Sequence, residues 1–151
     1  MKVVFGLLGR VCLSLIFVSS AFSKVINWEG NYQYLMAGLT HWLEYAAHMP
    51  DLYRFVDFLM PVAPVLLIVG TIFEGLGGLL ILLGLKPRAG AVLLILFTIP
   101  TTLLFHAFWI IKGPDHDIQM IMFLKNLSIL GGLFLVLANG GKKNAPSEVK
   151  E

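Results

Sequence analysis

Only one cysteine, Cys12, stands in the 151 residues, and it lies inside an apolar run. That excludes an intramolecular disulfide and any cysteine cluster for zinc or iron–sulfur chemistry. Charge is scarce as well: Asp, Glu, Lys and Arg make up 13% of the chain, against roughly 25% in an ordinary soluble domain. The formal net charge is +2 and the lysines and arginines are scattered, so no basic face exists for nucleic acid. What is abundant is apolar surface, at 58% hydrophobic residues. A one-domain soluble fold could not hide that much, so the expected surroundings are a lipid bilayer.

A helix needs about 20 apolar residues to cross the hydrocarbon core, and four stretches meet or approach that length: Val3–Ser23, Pro61–Leu85, Ala89–Ile111 and Ile118–Leu137. The first is interrupted by Arg10 and ends in Ala21-Phe22-Ser23 before Lys24, which resembles a signal-peptidase site. Cleavage there would leave three spans and discard a segment whose polar residues share one face. The expectation is therefore an all-α integral membrane four-helix bundle that keeps its first helix. Short connections at Lys86-Pro87-Arg88 and Lys112–Asp117 make consecutive helices antiparallel neighbours.

The stretch from Lys24 to Met60 is polar enough to lie outside the membrane and carries Trp28, Tyr32, Tyr34, Trp42, Tyr45 and Tyr53, residue types that favour the interface. Within it Tyr32, Leu35, Leu39, Trp42, Leu43 and Ala46 recur at helical spacing, predicting an interfacial helix over 31–47 that either caps the bundle or acts as a lid. Lys2, Arg10, Lys86, Arg88, Lys142, Lys143 and Lys150 fall on one side of the expected spans, while Lys24, Arg54 and Lys112 on the other are balanced by acids, so both termini are expected on the cytoplasmic side. The tail over 139–151 has no apolar period, and disorder is expected there.

Ionisable groups inside a span cost about 2.5–3.5 kcal/mol each at a helix centre and normally face a partner or a cavity. Arg10, Lys24, Glu74, His106 and Lys125 are the groups to account for. Arg10, Ser14, Phe17, Ala21 and Lys24 line one face of the first helix, so Arg10 either snorkels to the inner interface or pairs with Glu74. Glu74 shares its face with Gly70, Gly77 and Gly78, and such small residues let another helix approach closely. Its alternatives are an ion pair, a protonated hydrogen bond, a proton relay or a ligand contact.

In the third helix Thr98, Thr102, His106 and Trp109 form a stripe beside Pro100, which removes a backbone donor and bends the helix. The fourth carries Gln119, Lys125 and Asn126. Antiparallel traversal gives Lys125 a depth similar to His106, with Glu74 somewhat deeper, so Glu74, His106, Lys125, Asn126 and Gln119 can form one binding cluster centred on a Glu74–Lys125 pair. Arg10 and Lys24 would be its supporting charges. Quinone carbonyls need donors, and His106, Lys125 and Asn126 offer them. Haem is not expected, because no second intramembrane histidine completes an axial pair. No metal site, dinucleotide fingerprint or identifiable catalytic group is present in the sequence.

The chain resembles the DoxX family of small four-helix bacterial membrane proteins. The resemblance is carried by Arg10 with Phe17, Ser20 and Lys24; Glu74-Gly75-Leu76-Gly77-Gly78-Leu79-Leu80 with Gly84; Phe105-His106 with Phe108-Trp109; and Gln119 with Phe123-Leu124-Lys125-Asn126-Leu127 and Gly131-Gly132-Leu133. It implies an inner-membrane protein tied to quinol- or thiosulfate-linked oxidoreductase complexes. The long aromatic segment from Asn27 to Met60 departs from the shortest members. Three functions compete: an accessory subunit of a membrane redox system, a noncatalytic scaffold with a membrane partner or a second copy of itself, and a small proton-coupled carrier using Glu74.

Overall fold

The computed structural model describes residues 1–140, apart from the side chains of Lys2 and Val3, and among the described residues it is all-α. Six helices follow in order: α1 Lys2–Ile26, α2 Trp28–Tyr45, α3 Pro50–Leu59, α4 Ala63–Leu82, α5 Pro87–Phe105 and α6 Asp115–Asn139. Four of the segments are long and apolar enough to cross a membrane: Val4–Ile26, Ala63–Leu82, Pro87–Ile110 and Asp115–Asn139. An even number of crossings returns residues 1 and 140 to the same side. Helix α6 runs two residues past the expected Leu137, and residues 141–151 of the expected disordered tail lie outside the described residues.

The spans pack in a row, α4 against α1 and α5, and α5 against α6. Their shared core is Phe17, Ile81, Ala91, Leu94, Leu130 and Leu133, while Leu15, Leu83 and Leu135 are among the many large side chains left facing outward. In hydrocarbon that outward face costs nothing, and the helices are held by close packing instead. Glycine provides it between α4 and α5: a methyl group at Gly90 would stand 2.7 Å from the Gly77 carbonyl oxygen, and one at Gly77 would stand 2.8 Å from Leu94 Cγ.

Sequence chemistry sets the ends of each helix. Asn27 alone separates α1 from α2; it ends the first and caps the second, its side-chain oxygen accepting from the Gly30 N–H at 3.3 Å. Proline opens α3 and α5 at the position where a missing N–H is harmless. Gly84, at φ 68°, closes α4 in the left-handed region, and Asp115 and Asp117 sit in the first turn of α6 against its positive dipole end.

Two features of the loop end differ from expectation. The segment beyond α2 is itself helical, since Pro50 starts α3 over residues expected to be loop. The third span does not continue as one helix to Ile111: α5 ends at Phe105, and Phe108–Ile110 form a separate 3₁₀ turn. Ending there leaves the Leu104 carbonyl without its helical partner, and Trp42 Nε1 of α2 donates to it at 3.0 Å. Tyr34 stacks on Phe105 with ring centroids 4.6 Å apart. With Leu35, Leu39, Val56, Ala63 and Leu67 buried together, α2 and α3 form a packed cap over the loop end.

Candidate functional site

The expected intramembrane cluster divides into two polar seams. The first joins α1 to α4. Register is set by small residues, with Gly75 against Ala21 and Gly78 against Phe17 and Val18, so that Lys24, near the far end of α1, comes level with Glu74. Lys24 Nζ donates to Glu74 Oε2 and to Ser20 Oγ, both at 2.7 Å, and stands 5.5 Å from the centre of the Phe97 ring. Glu74 is 3% exposed and the Lys24 side chain 16%. This is a desolvated charge-assisted bond with a hydroxyl and an aromatic face completing the cation's surroundings.

The second seam joins α5 to α6 and carries no pair of opposite charges. Asn126 Nδ2 donates to Thr102 Oγ1 at 2.9 Å, and Thr102 in turn donates to the Thr98 carbonyl at 2.6 Å. One turn nearer the loop end, His106 Nδ1 lies 2.7 Å from Gln119 Oε1. The amide oxygen can only accept, so in this arrangement Nδ1 carries the proton. Thr98 Oγ1 is buried and is the one such side-chain atom without a hydrogen-bond partner among the described residues.

Three expectations are corrected. Glu74 pairs with Lys24 and not with Lys125: Lys125 faces outward on α6, and its one polar contact is Met122 Sδ at 3.7 Å. Adjacent helical residues point about 100° apart, so turning Asn126 toward Thr102 turns Lys125 away. Arg10 does not reach Glu74 either; it is exposed, with its guanidinium against Gly84 at the end of α4. The stripe from Thr98 stops at His106, since the helix ends there, and Trp109 is 47% exposed.

Sequence spacing did place Ser14, Phe17 and Ala21 on a buried face of α1. Phe97, which stands over the Lys24 ammonium, carried no signal of its own, because an apolar residue in an apolar helix is legible only once the helices are docked.

Two open spaces lie elsewhere. One, of about 150 Å³, is bounded by Tyr34, Gly38 and His41 of α2 and by Leu104, Phe105 and Ile110. The other, of about 710 Å³, is a groove between the N-terminal half of α1 and the C-terminal half of α6. Neither is lined by Glu74, Lys24, His106, Lys125, Asn126 or Gln119.

Comparison with known proteins agrees with this architecture. The chain is 33% identical over 134 residues to inner membrane protein YphA of Escherichia coli K12, covering 89% of this chain and 81% of that protein. It is 28% identical over 134 residues to inner membrane protein YqjF of the same organism, covering 89% and 82%. No solved structure matches it. The DoxX family model matches residues 5–107, a stretch that holds Arg10, Lys24, Glu74 and His106 and so contains the whole α1–α4 seam. This four-span membrane protein belongs to the DoxX family.

Proposed function

We propose that the chain is an inner-membrane accessory subunit of a quinone- or sulfur-linked redox system, supplying position and membrane attachment to partners that carry out the electron transfer. The observation that carries this reading is the closure of the intramembrane charges on each other: Lys24 and Glu74 neutralise one another, and neither bounds the open spaces described above. A charge pair of this kind fixes how two helices sit together. The likeness to DoxX proteins supports the redox association, and the relatives' designation as inner membrane proteins supports the location.

The residues do not fit an enclosed quinone site. His106 and Asn126 direct donors to Gln119 and Thr102, and Lys125 lies on the outer face of α6. In this reading a quinone is held by the partner. Both termini face the cytoplasm, as supported by Arg10, Lys86 and Arg88 at the end of the bundle where residues 1 and 140 lie. Reporter fusions at the two termini test the orientation.

The function is tested by purifying the full chain from its own membranes in mild detergent and identifying what accompanies it. A flavin-, haem- or quinone-bearing protein in constant ratio through successive columns is the expected result. A chain that purifies only with itself would overturn the redox association and leave the scaffold reading. A carrier driven by protons through Glu74 would instead show uptake in liposomes that Glu74→Gln abolishes.

A further inference from the structure

The groove between α1 and α6 combines three properties independent of the redox reading. It is lined on one side by Gly6, Gly9 and Arg10 and on the other by Ser128, Gly132 and Val136. At its upper end the two helices close to contact, Leu13 Cδ1 lying 3.5 Å from where a side chain on Gly132 would begin. Below that point they part, and a methyl group added to Gly6 or Gly9 would meet nothing within 4 Å. From Gly132, where the two helices touch, to Gly140 the α6 wall rises by eight residues, or about 12 Å at the helical rise, most of the half-thickness of a hydrocarbon core.

Among the described residues the charges at this end have one sign. Arg10 lies against Gly84, just past the end of α4, two residues before Lys86 and four before Arg88. Arg88 is engaged, its Nε and Nη2 donating to the carbonyls of Leu137 and Ala138. Arg10 has no acid within ion-pair distance among the described residues. Every acid in residues 1–140 is either Glu74 or belongs to the loop end, at Glu29, Glu44, Asp51, Asp57, Asp115 and Asp117. Among the described residues, an arginine whose guanidinium sits just past the end of α4, beside an apolar groove, lacks only an anion on an acyl chain.

We propose that this groove binds an anionic glycerophospholipid of the adjacent leaflet, its phosphate on the Arg10 guanidinium and one acyl chain along Gly6, Gly9 and Gly132. Arginine is suited to the task because its planar fork matches two phosphate oxygens at once. The bare glycine backbone provides width for the chain, and the hydrocarbon replaces contacts that α1 and α6 do not make with each other.

Cys12 lines the same groove and gives the probe. The full chain is labelled there with a small fluorophore and placed in phosphatidylcholine vesicles containing a minority of phosphatidylglycerol, with bromine on one lipid or the other as quencher. Phosphatidylglycerol is expected to quench about fivefold more than its share of the bilayer, as one basic contact near the surface allows. Arg10→Gln should reduce that excess to parity, and Gly9→Leu, whose Cβ meets nothing within 4 Å so that the added side chain enters the groove, should lower quenching by both lipids. Quenching in proportion to bulk composition in the unaltered chain, or an excess that survives Arg10→Gln, would overturn the proposal. So would oxidative Cys12–Cys12 cross-linking of the unlabelled chain in the same vesicles, since a second copy would then occupy the groove.

Discussion

Helix α1 faces α4 and α6 in opposite ways. Against α4 it is closed, with Gly78 pressed to Phe17 and Val18 and with Lys24 locked to Glu74. Against α6 it is open below Leu13, and Gly6 and Gly9 look into free space. Both seams are rich in glycine, so glycine content alone does not distinguish a helix interface from a groove. The difference lies in what stands opposite: on α4 an acid at the depth of the lysine, on α6 no acid for Arg10. In hydrocarbon, where apolar surfaces gain nothing by leaving lipid, the ion pair and close backbone approach decide which seam shuts.

Substitutions that remove these differences rank accordingly. Glu74→Leu leaves the Lys24 ammonium buried without its counter-ion, and a loss of about 3–5 kcal/mol is expected, read from unfolding in mixed micelles. Gly90→Ala drives a methyl against the Gly77 carbonyl oxygen and should cost about 1–3 kcal/mol by overpacking. Asn126→Leu removes the neutral bond to Thr102, and since hydrogen bonds between membrane helices average about 0.6 kcal/mol, the same assay should show only a small drop. Gly9→Leu, where nothing stands in the way, should stay within about 0.5 kcal/mol of the unaltered protein. If Gly9→Leu cost as much as Gly90→Ala, the contrast between closed and open seams would collapse.

Much of the architecture was legible because it depends on period and length. The four spans, the buried faces of α1 and α2 and the glycine face of α4 all follow from which residues recur at three and four. The pairing within the membrane was not. Sequence gives the depth of a residue along its helix, and by depth Lys125 and Arg10 were the candidates for Glu74, while Lys24 stood only as a supporting charge and its pairing was missed. Rotation and neighbour order make the choice: α4 packs against α1 and α5, while α6 reaches only α5 among the spans it packs closely, so Lys125 is on the wrong helix as well as the wrong face. The end of α5 at Phe105 was hidden for another reason. No glycine or proline marks it, and the freed Leu104 carbonyl is satisfied by Trp42, 62 residues earlier in the chain.

The claim on which the rest depends is that Lys24 and Glu74 act as one unit holding α1 to α4. A double-mutant cycle on Lys24→Met and Glu74→Leu, followed by unfolding in mixed micelles, tests it directly. The pair predicts a coupling of about 2–3 kcal/mol, with the double variant more stable than either single one. Losses that add to within about 0.5 kcal/mol would contradict it.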